Sequence, residues 1–182
     1  TLGAIFFILW QGHIRWAGIG AVALAIILWG QTPRPDVLIA DSGLLVGVMG
    51  PQGRHLSRDK GAGFAARVWL ENDGENTPQA VAASRPPPDR RWVRALRRLE
   101  AGTDICGAEP VVIPEWLDAP DCPVFDLRRL RRTGSVAGYI HGNDLRWVTA
   151  KGATGRRLWN DRWMRRDEMA LHPWRGAQFV LP

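Results

Sequence analysis

The sequence lacks the short motifs that metal-dependent and nucleophile-dependent enzymes carry. Its four histidines are far apart in the sequence: His13, His55, His141 and His172. They form no His-x-His or His-x-x-x-His pair, so the sequence does not support a zinc site. His141 is close to Asp144, but a polar turn explains this pair better than catalysis. Ser42 lacks the Gly-x-Ser-x-Gly frame of a nucleophile elbow, and no Gly-Lys-Ser/Thr follows the nearby glycines. We therefore predict no catalytic residue, cofactor or metal, and a protein that is not an enzyme.

Charge is nearly absent from the first thirty residues, where Arg15 is the single fully charged side chain. Two apolar runs, residues 1–10 and 16–29, lie on either side of it, and tryptophans bracket the second run as interfacial anchors do in membranes. This pattern predicts a transmembrane helical hairpin over residues 1–30, truncated at its front end. A buried soluble helix is the alternative, because residues 14–30 are fewer than the roughly 20 that a spanning helix prefers.

The position of Arg15 predicts an orientation. Positive residues in short loops between membrane segments favour the cytoplasm. We therefore expect a protein of the bacterial inner membrane whose chain after Trp29 lies in the periplasm.

Lysine is scarce as well, since 22 of the 24 basic residues are arginine. The net charge of +6 is uneven, with −1 over residues 31–84 and +6 over residues 85–182. The arginine excess fits a GC-rich coding sequence at least as well as a demand for guanidinium chemistry. The high isoelectric point alone is therefore no proof of nucleic-acid binding.

The pattern of apolar residues predicts an α/β or α+β domain with mainly short strands. In the first half, we expect a hairpin of residues 36–40 and 44–49, a strand at 55–57, a helix at 63–72 and a loop at 73–90. In the second half, we expect an amphipathic helix at 91–101, short strands at 110–113 and 123–125, and a helical turn at 126–130 that is capped by Asp126. A second hairpin is expected from residues 134–141 and 144–150.

The only two cysteines, Cys106 and Cys122, flank the predicted strand at residues 110–113. In an oxidising compartment, two cysteines of one small domain tend to pair. The periplasmic placement therefore predicts a disulfide between them. Two buried thiols are the alternative if that orientation is wrong.

Two groups of arginines are candidates for contact with nucleic acid, because guanidinium groups neutralise phosphates. They are Arg94, Arg97 and Arg98 in the first group and Arg128, Arg129, Arg131 and Arg132 in the second. Solvated helix faces carry such charges without any ligand, and this alternative stays open.

Six segments follow the apolar hairpin in a characteristic order: PRPDVLIA (33–40), GLLVGVMGPQG (43–53), FAARVWLENDG (64–74), CGAEPVVI (106–113), CP (122–123) and FDLRRLRRTG (125–134). Together with the hairpin and its basic turn, they resemble the C-terminal region of ComEC, the membrane channel of bacterial DNA uptake, in its alphaproteobacterial form. The resemblance spans roughly residues 2–160.

The resemblance implies a polytopic channel that passes single-stranded DNA into the cell during transformation. Many members of the family carry a C-terminal metallo-β-lactamase-like domain, whose activity needs a His-x-His-x-Asp-His motif. Because this chain has no such motif, the resemblance implies a degenerate, non-catalytic version of that domain. The implied partners are the membrane, single-stranded DNA, the remainder of the parent channel and other competence proteins.

The predicted organisation has three parts. Residues 1–30 are the last transmembrane helices, residues 31–155 are a degenerate metallo-β-lactamase-like periplasmic α/β domain, and residues 156–182 are a basic, Trp-rich tail that we expect to be disordered. The expected function is the C-terminal fragment of an inner-membrane DNA-uptake channel that braces the channel mouth or guides single-stranded DNA there. The alternatives are a metal-dependent hydrolase or nuclease whose ligands lie in a missing segment, and a membrane-anchored domain that makes only protein contacts.

Overall fold

The computed structural model of the protein describes residues 2–10, 12–88, 93–100, 102–107, 109–117, 122, 124–142 and 144–155. The chain divides into two compact units, Thr1–Arg34 and Pro35–Pro182. The predicted basic tail, residues 156–182, lies outside the described residues, and its order stays a prediction.

The first unit is a pair of apolar helices, α1 (Leu2–Leu9) and α2 (Trp16–Gly30), joined by a 3-10 turn at His13–Arg15. The helices approach each other closely at Gly3 and Gly18. A Cβ atom on Gly18 would lie 2.6 Å from the carbonyl oxygen of Gly3, so a larger residue would force the two backbones apart.

The first unit differs from the predicted membrane hairpin. No helix among the described residues is long and apolar enough to cross a membrane. Helix α2 has 15 residues, which at 1.5 Å per residue gives about 22 Å, against a hydrocarbon core of roughly 30 Å. The predicted transmembrane helical hairpin is therefore wrong, and so is the fold class that joined it to a degenerate metallo-β-lactamase-like domain. The described residues form an α/β fold with six α-helices and two sheets.

The second unit contains the two sheets. Along the described chain its elements are β1 (Val37–Ile39), β2 (Val46–Gly50), β3 (Gly53–Leu56), α3 (Gly63–Asn72), α4 (Gln79–Ala83), β4 (Arg94–Ala95), β5 (Val111–Val112), β6 (Val124–Phe125), α5 (Leu127–Thr133), β7 (Val136–His141), β8 (Asp144–Thr149) and α6 (Ala150–Thr154). Five strands form an antiparallel sheet in the order β3-β2-β1-β7-β8. Three short strands form a parallel sheet in the order β4-β5-β6.

The antiparallel sheet joins two hairpins that are far apart in sequence. The predicted hairpins on either side of Gly43 and of Gly142 are confirmed as β1–β2 and β7–β8. Strand β1 pairs with β7, so that Val37 lies opposite Gly138. The two halves of the second unit therefore share one sheet.

Side chains pack on both faces of this sheet, as the two-residue period of a strand requires. Val48 belongs to a buried cluster with Phe125 and Trp147, whose rings meet edge to face with centroids 4.9 Å apart. Gly47 points to the opposite face, where a Cβ atom would lie 3.2 Å from the Trp69 ring of α3. The small residue at position 47 therefore allows α3 to lie close to the sheet.

The parallel sheet contradicts the predicted amphipathic helix over residues 91–101. Among the described residues there, Arg94 and Ala95 form β4. The backbone N–H of Arg94 donates to the carbonyl oxygen of Pro110 at 2.9 Å, and that of Leu96 donates to Val112 at 2.9 Å. The leucines that suggested an apolar helix face, Leu96 and Leu99, pack instead against the buried cluster of β5 and β6.

A disulfide joins Cys106 and Cys122, which are 16 residues apart and whose Cα atoms are separated by 5.1 Å. The bond ties the segment before β5 to the segment that enters β6. Cys122 also packs against Val111, Ile113 and Val124, so the disulfide closes one side of this small core.

The predicted loop over residues 73–90 contains a short helix, α4. It begins after Pro78, whose extended backbone marks the start of the helix. Its Ala82 is fully buried beside Ala66 and Leu70 of α3. Five residues are too few to show a helical period in the sequence, which is why the prediction missed this helix.

Candidate nucleic-acid interface

Helix α5 carries four of the predicted arginines, and Asp126 fixes where this helix begins. The Asp126 side chain is buried, and its Oδ1 accepts a hydrogen bond of 2.9 Å from the backbone N–H of Arg129. This is the N-cap that the sequence predicts. Leu130 points into the core and is fully buried, so the residues around it lie at or near the surface.

The structure separates Arg129 from its neighbours. Its guanidinium group lies over the Phe125 ring at 5.5 Å, and its Nη1 donates to the carbonyl oxygen of Val124 at 3.4 Å. Burial lowers the pKa of Arg129, and the charge of Asp126 partly offsets this effect. Arg129 is thus part of the packing of α5 rather than a freely accessible cation.

Arg128, Arg131 and Arg132 are exposed on α5. Arg128 and Arg131 are three residues apart and therefore share one helix face. Within the described part of the chain, neither of these two guanidinium groups pairs with a carboxylate. Lys151 adds a further cation, because its Nζ donates to the carbonyl oxygen of Arg131 at 3.2 Å.

The side chain that the sequence reasoning missed is Trp116. Its ring lies 5.7 Å from the guanidinium carbon of Arg128 and 5.7 Å from that of Arg131. These distances are in the range of cation–π contacts. A tryptophan in the polar segment after a buried strand was the available signal, but the sequence did not show which cations lie beside it.

The other group of predicted arginines makes different contacts. Arg94 is half-buried and its Nη2 donates to the carbonyl oxygen of Asp104, which holds the β4 segment in place. Arg98 is exposed. Arg97 lines a separate cleft of about 240 Å³ with Ser57, Arg58, Asp59, Ala80, Ala83 and Ser84. Because this cleft has charges of both signs, it shows no clear preference for an anion.

Two ion pairs, one buried and one partly buried, hold β3 against the loop after α3. Arg54 is bound by Asp73 through two hydrogen bonds, from Nε at 2.5 Å and from Nη2 at 3.1 Å. Arg85 pairs with Glu75, and its Nη1 also donates to the carbonyl oxygen of Arg54 at 2.9 Å. The hydrogen bond from Arg85 lowers the pKa of Glu75. These charges are used within the fold and are not offered to a ligand.

In the described part of the chain, no histidine belongs to a group that could hold a metal ion. His55 lies with its Nδ1 2.8 Å from the carbonyl oxygen of Arg85, and His141 lies opposite Asp144 in the β7–β8 hairpin. His172 lies outside the described residues. Among the residues that the structure describes, no group of three or more His, Cys, Asp or Glu side chains could hold a metal ion.

No protein-family model matches the chain, and no curated protein or solved structure matches it either.

Proposed function

We propose that the protein is a non-catalytic component of a bacterial DNA-uptake channel, and that its second unit contacts single-stranded DNA. The observation that carries the DNA contact is the pair Arg128 and Arg131. Both side chains are exposed on one face of α5, and neither has a carboxylate partner in the described residues. The resemblance of the six segments to the ComEC region supports the assignment to DNA uptake.

Electrostatics explains how such a surface acts on a passing strand. A guanidinium group that neutralises a phosphate releases a condensed counterion, so binding is favoured at low salt and does not depend on base sequence. A strand guided into a channel has to be held weakly and without sequence preference. A few exposed arginines on one helix face provide this kind of contact.

We also propose a location and binding partners for the second unit. It lies on the periplasmic side of the inner membrane, where a disulfide such as Cys106–Cys122 persists. Its partners there are the remainder of the channel, other competence proteins and the DNA strand. This placement does not require residues 1–30 to cross the membrane.

The test measures the affinity of the whole chain for a fluorescent oligothymidine by anisotropy at several salt concentrations. We expect the affinity to fall as salt rises. The double variant Arg128→Ala/Arg131→Ala should bind more weakly, and its salt slope should be smaller by about 1.4, since each phosphate contact on a single strand contributes roughly 0.7.

The matched control is Arg67→Ala. Arg67 is exposed on α3 and is paired with Glu71 of the same helix, so its removal also costs one positive charge. We expect it to change the salt slope by less than half as much as the double variant does. Absence of binding, or an affinity that is equal at low and high salt, would contradict the DNA contact.

A further inference from the structure

Trp116 is exposed, whereas the other tryptophans that the structure describes in the second unit are half-buried or buried. Its relative exposure is 56%, whereas Trp147 in the core is 3% exposed. Large aromatic side chains usually contribute to stability by burial. A tryptophan that keeps more than half of its surface in water contributes little in this way, so its position suggests a binding role.

The segment that carries Trp116 is held to α5 by two hydrogen bonds, one on each side of this residue. The backbone N–H of Leu127 donates to the carbonyl oxygen of Glu115 at 3.0 Å. The backbone N–H of Leu117 donates to Oδ2 of Asp126 at 3.4 Å. The same carboxylate therefore caps α5 and holds the loop, which sets the position of the ring relative to the arginines.

Two cations of α5 lie beside the ring. Arg128 and Arg131 each place a guanidinium carbon 5.7 Å from the ring centroid. An exposed aromatic ring among positive charges is the combination that single-strand binding proteins use, because bases stack on the ring while cations follow the phosphates. Double-stranded DNA keeps its bases stacked in the helix and cannot use the ring in this way.

We propose that Trp116 is a base-stacking site for single-stranded nucleic acid, and that Arg128 and Arg131 hold the phosphates on either side of the stacked base. This inference rests on the proposed DNA contact and adds to it that the surface recognises unpaired bases as well as phosphates. A tryptophan that only covers the arginine side chains would leave binding dependent on phosphates alone.

The test measures the affinity of the whole chain for three ligands of equal length: an oligothymidine, the same sugar-phosphate strand without bases, and a duplex. We expect the wild-type chain to bind the oligothymidine about tenfold more tightly than the abasic strand. Trp116→Ala should remove this difference, since stacking on one aromatic ring commonly contributes tenfold or more. It should leave binding of the abasic strand and of the duplex unchanged.

Two further variants separate stacking from loss of structure. Trp116→Phe keeps an aromatic ring and should retain most of the preference for bases. Phe64→Ala removes an exposed aromatic ring from α3, where Phe64 is 84% exposed, and should change nothing.

The outcomes distinguish the two proposals. Equal affinity of the wild-type chain for the oligothymidine and the abasic strand would overturn the stacking site and leave the phosphate contact standing. If Trp116→Ala kept the wild-type preference for the oligothymidine over the abasic strand, the role of Trp116 in stacking would be overturned. Failure of the wild-type chain to bind either strand would overturn both proposals.

Discussion

Arg54 carries a guanidinium group in the interior of the second unit, and this group depends on one carboxylate. The side chain of Arg54 is 1% exposed and that of its partner Asp73 is 6% exposed. Arg54 also donates to the carbonyl oxygen of Pro35 at 3.0 Å, which joins β3 to the start of the second unit. A buried charge without its partner is costly, because the protein interior cannot replace its hydration.

Asp73→Asn removes the negative charge of this pair with little change in shape. We expect it to lower the free energy of unfolding of the second unit by about 3–5 kcal/mol, since Arg54 would keep an uncompensated buried charge. Urea denaturation followed by circular dichroism measures the change.

The control for this prediction is Glu71→Gln in the exposed pair with Arg67, whose side chains are 50% and 79% exposed. Exposed pairs contribute little, so a much smaller change than that of Asp73→Asn is expected. Equal losses for Asp73→Asn and Glu71→Gln would contradict the structural account of Arg54.

Single residues show where prediction from the sequence reaches its limit. The cap at Asp126 was predicted because it depends on bonds within three residues. The sequence grouped Arg129 with Arg128 and Arg131, but only the fold places Arg129 against Phe125. Asp73 falls at the start of the predicted loop at residues 73–90, and its ion pair with Arg54 could not be foreseen because the two lie 19 residues apart.

Among the elements, α5 and the 114–117 segment are linked by Asp126, whose carboxylate accepts hydrogen bonds from both. Asp126→Ala would remove the N-cap of α5, the hydrogen bond to Leu117 and a buried carboxylate. A lost N-cap costs about 1 kcal/mol. We expect a larger loss here, about 2 kcal/mol, because a second hydrogen bond breaks as well.

Thr149→Ala is the matched control. The Thr149 side chain caps α6 by accepting from the backbone N–H of Gly152 at 3.0 Å. We expect this variant to lose only about 1 kcal/mol, the value of a single cap. If chemical denaturation gave the two variants the same loss, the coupling between α5 and the Trp116 segment would be wrong.

The β4 segment shows how an element can be misread. Val93, Leu96 and Leu99 recur at helical spacing, and this favoured a helix. The backbone bonds to Pro110 and Val112 instead make β4 an edge strand of the parallel sheet. In the strand conformation these three side chains are partly buried against the core, as an apolar helix face would also be, so the periodicity alone could not decide between the two.

At the scale of the whole molecule, the second unit combines a large antiparallel sheet with a small parallel one. The parallel sheet has only two residues in each strand, and its core is correspondingly small. The Cys106–Cys122 disulfide lies at this core. A crosslink that closes a loop of this length restricts the unfolded chain and stabilises by about 3 kcal/mol.

We expect the double variant Cys106→Ser/Cys122→Ser to lower the melting temperature of the second unit. The wild-type chain treated with a reductant should show the same decrease. The double variant should not respond further to the reductant, which is the control for indirect effects. An unchanged melting temperature in both cases would show that the crosslink does not stabilise this unit.

Features that depend on composition or on neighbouring residues could be predicted from the sequence: the hairpins at Gly43 and Gly142, the start of α5 at Asp126, and the basic character of residues 85–182. Three other features arise from long-range contacts in the folded chain: the pairing of β1 with β7, the conformation of β4 and the contacts of Trp116 with Arg128 and Arg131. Caps and tight turns are set by bonds within a few residues. Strand pairing, burial and ring contacts depend on parts of the chain that only folding brings together.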